Sequence, residues 1–175
     1  MVVESVEKKS LAGLVGVAAA CLLLVSVAGH EGEVLKTYYD PVGIATVCYG
    51  DTDPAFAVPG KTYTSAECLQ SLERQLVAHA APVIMCLPGI KAAPPEMTAA
   101  FVSLAYNIGA NAFCKSTVAK RFRAGDYAGS CEAIELFTKA KGKVMPGLVV
   151  RRKDERILCE QGVKALIHKK EGNAP

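Results

Sequence analysis

EGEVLKTYYDPVGIAT, residues 31–46, is the stretch on which the reading of this chain turns. It carries a carboxyl at Glu31, a second at Asp40 after eight intervening residues, and a hydroxyl at Thr46 after five more. Glu31 lies in HEGEVLKTYY, whose composition is compatible with a helix. Asp40 enters a turn with Pro41 and Gly43. The alternation Ile44-Ala45-Thr46-Val47-Cys48-Tyr49 predicts a strand. A helix end, a turn and a strand can bring three polar groups to one cleft. Cleaving a glycosidic bond needs two carboxyl groups flanking a sugar ring. One is protonated to donate to the leaving oxygen, and the other is ionised to steer a water or attack as nucleophile. The competing reading is a pair of solvated surface acids, and this spacing taken alone does not separate the two.

Two further stretches follow in order: Tyr106-Asn107-Ile108-Gly109, and Gly147-Leu148-Val149-Val150-Arg151-Arg152. A Glu-Gly pair, with Asp and Thr at this spacing and a Gly close behind, resembles the signature of the phage-type lysozymes, glycoside hydrolase family 24. The later stretches carry the resemblance across roughly residues 30–161. It implies an α+β, lysozyme-like fold, mainly helical, with a small β-hairpin lobe, a larger helical lobe and a cleft between them. It also implies hydrolysis of the β-1,4 bond between N-acetylmuramic acid and N-acetylglucosamine, with inversion. Inversion accompanies a carboxyl separation of about 6.5–9.5 Å. On the family pattern Glu31 is the general acid. Asp40 orients or activates the attacking water, or stabilises the oxocarbenium charge, and Thr46 holds that water. Tyr106 and Asn107 fall at the cleft floor, with Ser116 and Thr117 as weaker contacts, and Arg151 supports Glu31 through an ion pair. The alternatives are core packing for the first set and one more exposed base for Arg151. The resemblance implies no metal and no organic cofactor, and its partner is peptidoglycan, met by a monomer. Asp51 stands where many relatives have a His, which puts a structural ion pair in doubt but not the chemistry.

Residues 1–9 are polar and end in Lys8-Lys9. Leu11 to Gly29 then run for nineteen residues without a charge. At about 1.5 Å per residue a helix of that length spans about 28 Å, close to a bilayer core. Its nine Leu and Val side chains supply about −3 to −5 kcal/mol of insertion free energy, which the Gly and Ser erode. The flanking lysines favour a cytoplasmic N-terminus. Phage lysozymes with such a start resemble signal-arrest-release endolysins, which are exported uncleaved, held at the membrane and later released. That implies a cytoplasmic segment 1–9, a signal anchor 10–29 in the host inner membrane, and a catalytic domain 30–175 in the periplasm, soluble there after release. The alternatives are a cleaved signal peptide, with Ser26-Val27-Ala28 as the processing site, and a buried helix of the globular domain. Glu31 sits two residues beyond Gly29, so an inserted span would pin it at the membrane surface.

The whole chain has 175 residues and a net charge of +3, enough for one domain with a core and no sign of a nucleic-acid partner. Lys139, Lys141, Lys143, Arg151, Arg152, Lys153 and Arg156 crowd together, either as a solvated helix face or to attract an anionic wall. Thr64-Ser65-Ala66-Glu67 is a capping box that predicts a helix to Ala80, with Leu69, Leu72, Leu76 and Val77 as its apolar stripe. The prolines of 81–94 predict an irregular connection. Further helices are predicted from Pro95 to Gly109 and over 111–122, 126–138 and 146–161, then a frayed tail. Of seven cysteines, six lie outside the apolar run. In an exported domain they predict three disulfides among fifteen possible pairings. Placing the segments on the lysozyme-like fold favours Cys48–Cys68, Cys86–Cys114 and Cys131–Cys159. Cys21 is either a small apolar residue or a redox switch whose thiol rearranges a disulfide. Some relatives of this release type carry a blocked cysteine at the catalytic position, but here that position is Asp40. Two other functions stay open: a lytic transglycosylase, and a non-catalytic, disulfide-rich wall-binding or inhibitor protein.

Overall fold

The computed structural model describes residues 10–171. The cytoplasmic segment expected over 1–9 lies outside them. The apolar run is folded into the domain as two helices, α1 (Leu11–Val15) and α2 (Val17–Glu31). Ser10 caps α1, its hydroxyl accepting from the Gly13 amide. Gly16 ends α1 and opens α2 at φ 86° and ψ 154°, a backbone state open to Gly and strained for a residue with a Cβ. The turn there divides the nineteen residues, and among the described residues no helix is long and apolar enough to cross a membrane. Leu11, Leu14, Ala19, Ala20, Leu23 and Val27 are buried. On α2 these recur at helical spacing and form one face. That face packs against α4, while α1 lies on α3.

Gly32, at φ 74°, stops α2 directly after Glu31. The chain then enters β1 (Val34–Tyr39), which pairs antiparallel with β2 (Ala45–Cys48). The helix-compatible reading of HEGEVLKTYY therefore holds only through Glu31. Beyond the glycine, Val34, Tyr38 and Tyr39 are residues that favour a strand. Tyr38 faces Thr46 and Tyr39 faces Ala45, with an irregularity between Val34 and Tyr38. This hairpin is the small lobe.

The Thr64–Glu67 capping box forms with both reciprocal hydrogen bonds and starts α3 (Ser65–Cys86). The helix continues past Ala80 through Pro82. Pro82 lacks the N–H that would reach the Ala78 carbonyl, but burial of Val83 and the Cys86–Cys114 disulfide hold the last turn. Next comes α4 (Pro95–Ile108), buried continuously from Met97 to Ala105 and ended by Gly109. It is the centre of the large lobe, flanked by α2, α3 and α8. The helix predicted over 111–122 is two, α5 (Ala110–Lys115) and α6 (Thr117–Arg123), because the Ser116 hydroxyl caps the second. Helix α7 (Tyr127–Glu132) passes into a 3-10 turn, Ala133–Leu136. A second hairpin follows, β3 (Lys139–Ala140) and β4 (Lys143–Val144), turning at Lys141 and Gly142, both at positive φ. Helix α8 (Pro146–Glu171) closes the domain and runs beyond the predicted end at 161.

Three disulfides, Cys48–Cys68, Cys86–Cys114 and Cys131–Cys159, tie β2 to α3, α3 to α5, and α7 to α8. Each closes a loop of 20 to 28 residues, for which chain entropy alone contributes about 3 kcal/mol. The fold makes α2 part of the core, so Leu23→Ala should lower unfolding free energy by about 3 kcal/mol. Urea denaturation of the full chain checks this, and a loss below about 0.5 kcal/mol, the scale of a surface change, would contradict it.

Candidate active site

Glu31 stands at the end of α2 with its side chain 26% exposed. Arg151 on α8 donates from Nη1 to Glu31 Oε1 at 2.5 Å and from Nε to Glu155 Oε1 at 3.2 Å. Glu155 also accepts from Arg152 Nη2 at 3.1 Å and from the Ser103 hydroxyl of α4 at 2.7 Å. Arg151, Arg152 and Glu155 are all buried. Burial pushes the Glu155 carboxyl up from its ordinary value, while Arg152, Ser103 and Arg151 pull it back. Burial likewise pushes Arg152 down, against the pull of Glu155. Sequence reasoning named Arg151 but missed Arg152 and Glu155. The signal available was their spacing: Glu155 follows Arg151 by four residues and Arg152 by three, which puts all three on one side of a helix.

Asp40 opens the turn of the small hairpin. Its Oδ1 accepts from the amides of Val42 and Ile44 at 2.9 and 2.8 Å, and its own amide donates to the Ile44 carbonyl at 2.9 Å. This Asx-turn geometry fixes the carboxyl through one oxygen. Thr46 is 5% exposed and donates its hydroxyl hydrogen to the Ile44 carbonyl at 3.0 Å. That orientation leaves its oxygen as an acceptor. Glu33 joins hairpin and helix α3: its carboxylate accepts from the Tyr49 hydroxyl at 3.1 Å and the Ser65 hydroxyl at 3.0 Å. Both contacts fix the chain two residues after Glu31.

The Tyr106 hydroxyl reaches the Tyr49 carbonyl and Gln75 Oε1, each at 3.2 Å. Burial first, and then the Glu31 charge, pushes this phenol up to about 12, so it stays a donor at neutral pH. Asn107 is exposed and lines a pocket of about 490 Å³ with Ile108, Leu136, Phe137, Lys139 and Leu148. Leu148 lies one helical turn before Arg151. Ser116 is buried and caps α6, so its hydroxyl is occupied within the large lobe. Asp51 is 3% exposed and forms an ion pair after all, with Arg74 of α3 at 2.9 Å, and accepts from Ser71 as well. The basic cluster divides: Lys139, Lys141 and Lys143 are exposed on the second hairpin, whereas Arg151 and Arg152 face inward and Arg156 pairs with Glu135 and Glu160. Cys21 is a free, exposed thiol on the outer side of α2, between the exposed Val17 and Val25. Among the described residues no group of three or more His, Cys, Asp and Glu side chains could hold a metal ion.

A helical lobe carrying a carboxyl in an ion pair, beside a hairpin carrying a second carboxyl in its turn, is the build of a lysozyme-type glycoside hydrolase. The family model for phage lysozyme matches residues 28–155, and the chain belongs to the phage lysozyme family. It is 40% identical over 150 residues to the SAR-endolysin of bacteriophage PS119, covering 83% of this chain and 87% of that one. To the SAR-endolysin of Enterobacteria phage P21 it is 38% identical, covering 89% and 96%. Among solved structures, the fold superimposes on the active form of the phage P1 endolysin Lyz with a TM-score of 0.73 at 23% identity, covering 84% and 87%. A lysozyme of phage P22 gives 0.69 at 30% identity, covering 79% and 94%.

His30, beside Glu31, lies 3.8 Å from Asp154. Burial and then Arg151 hold its imidazole below the ordinary value, against the pull of Asp154. The folded value is the lower one, so the unfolded chain takes up the proton first as pH falls. Native stability should therefore drop as pH falls through about 6.5 and level off below the folded value. Urea midpoints of His30→Gln should lack this drop. A drop of equal size in the variant would assign it to another group.

Proposed function

We propose that the chain is a peptidoglycan muramidase, cutting the β-1,4 bond between N-acetylmuramic acid and N-acetylglucosamine and so lysing the host cell. The observation that carries this reading is Glu31, held by Arg151 at the end of α2 and followed directly by the hairpin whose turn is organised by Asp40. Glu31 donates the proton to the leaving oxygen. Asp40 directs a water to the opposite face of the sugar, or balances the oxocarbenium charge. Thr46 accepts a hydrogen bond from that water. Tyr106 and Asn107 border the bound glycan, and Asn107 leads into the pocket beside the second hairpin. Two carboxyls with a water between them give inversion. The protein works as a monomer.

The same reading includes export with residues 10–29 as a membrane anchor, followed by release into the periplasm. Its support is the uncharged run itself and the name SAR-endolysin borne by the relatives. Leu23 and Val27 cannot line a bilayer-spanning helix and the protein core at once. While the run is inserted, Glu31 is therefore not held against Arg151, and the tethered form is inactive.

The test is hydrolysis of purified peptidoglycan by the full chain, both inserted in lipid vesicles and released into solution, beside Glu31→Gln. The released form should yield reducing muramic ends, and Glu31→Gln should lose about 10²–10⁴-fold in rate. Anhydro-muramic ends would move the protein to the transglycosylases. Binding without cleavage would make it a wall-binding module. Equal specific activity of inserted and released protein would sink the tethering argument.

A further inference from the structure

We infer that Glu155, which touches no substrate, is a positioning residue: it divides the Arg151 guanidinium between two carboxylates and so keeps Glu31 able to carry a proton. The inference rests on Glu31 being the acid. Its basis is the charge inventory beneath that residue. Two guanidiniums, Arg151 at 5% and Arg152 at 0% exposure, are buried with one buried carboxylate, Glu155 at 0%. Arg151 Nη2 and Arg152 Nη1 have no hydrogen-bond partner, and Arg152 Nε touches Glu155 Oε2 at 2.8 Å without the alignment of a hydrogen bond. The cluster is thus short of negative charge. When Glu31 is ionised the four groups balance, and when Glu31 is protonated an excess of one positive charge remains. Without Glu155 that excess would be two, in a place where water cannot screen it.

Arg151 is also the mechanical link. Its Nε is directed to Glu155 at 3.2 Å and its Nη1 to Glu31 at 2.5 Å. A guanidinium released from Glu155 would turn both donors to Glu31, the bidentate pairing that holds a carboxylate ionised most strongly. A general acid must instead give up its proton only to the leaving oxygen. The other groups facing the pair do not supply the missing charge. On α4, Ser103 is a neutral donor to Glu155, and the Tyr106 phenol stays protonated at neutral pH. On α2, His30 is turned to Asp154 of α8. Arg152 adds a second positive charge.

The experiment is the rate–pH profile of peptidoglycan hydrolysis by the released full chain, by Glu155→Gln, by Arg152→Gln and by Glu31→Gln, with circular dichroism and a thermal melt for each. Glu155→Gln should move the alkaline limb down by about one pH unit, a loss of about tenfold in rate above it, with the rate at its own optimum kept within a few-fold. Arg152→Gln should move the limb upward, because it removes positive charge and leaves Glu155 to Arg151. A merely structural role would lower amplitude in both variants and shift neither limb. That result, or a shift of the same sign in both, overturns the inference. Should the two charge variants fail to fold, Ser103→Ala, which removes a competing donor from Glu155 Oε1 and leaves that oxygen to Arg151, should shift the limb in the Arg152→Gln direction, and an unmoved limb there overturns it. If Glu31→Gln keeps the wild-type rate, the acid assignment itself is wrong and the inference falls with it.

Discussion

Burial of one face of α2 against α4 decides where Glu31 stands. The solvent side of α2 is open: Val17, Cys21 and Val25 point outward. The support is Ala19, Ala20, Leu23 and Val27 on the inner face, two of them small enough for close approach to the continuously buried α4. Burying side chains such as Leu23 and Val27 contributes about 1.5–3 kcal/mol each. The helix ends on the residue that must be placed, and Gly32 turns the chain away at once. Hydrophobic packing, which is not directional, thereby becomes the positioning device for a carboxylate.

The electrostatics are arranged the other way round. Charges usually lie at the surface and apolar groups beneath them, but here the basic residues nearest Glu31 lie beneath it. Arg151 comes to Glu31 from the interior, already held by Glu155, which itself accepts from Arg152 and from Ser103 of the central helix. An ion pair of that kind is worth less as a source of stability than as a fixed geometry, because removing both charges from water is expensive. The hairpin is simpler. Asp40 is fixed by two backbone amides of its own turn, so its position is local and depends little on the rest of the fold. The two carboxyls of the candidate site are therefore set by unlike means, one by long-range packing and one by four residues of loop.

That difference explains how much could be read from the sequence. The turn at Asp40, the strand through Thr46, the capping box at Thr64 and the end of α4 at Gly109 all follow from local chemistry and were legible. The apolar run was harder. Nineteen uncharged residues satisfy a bilayer and a protein interior alike, because both reward the same burial. The feature that separates them here, a left-handed backbone at Gly16, is visible only in three dimensions. Pro82 suggested a break that a disulfide and a buried Val83 override. Ser116 matched a cleft contact but serves as a helix cap. Arg151 and Arg152 looked like part of a basic surface, since a sequence displays charge but not the direction in which a helix presents it. Asp51 found its partner in Arg74, a residue 23 positions away that no motif connects to it.

The three disulfides begin at Cys48, and every covalent cross-link in the described molecule lies downstream of α1 and α2. The scaffold they lock is the hairpin, α3, α5, α7 and α8. Among the described residues, the first two helices are attached to it by the peptide chain at Gly32, by the Leu11 amide on Glu73, by the ion pairs of Glu31 and His30, and by apolar contact. In mechanical terms they are a detachable part seated in a stapled frame. Seating or unseating them makes and breaks no covalent bond and leaves every staple in place.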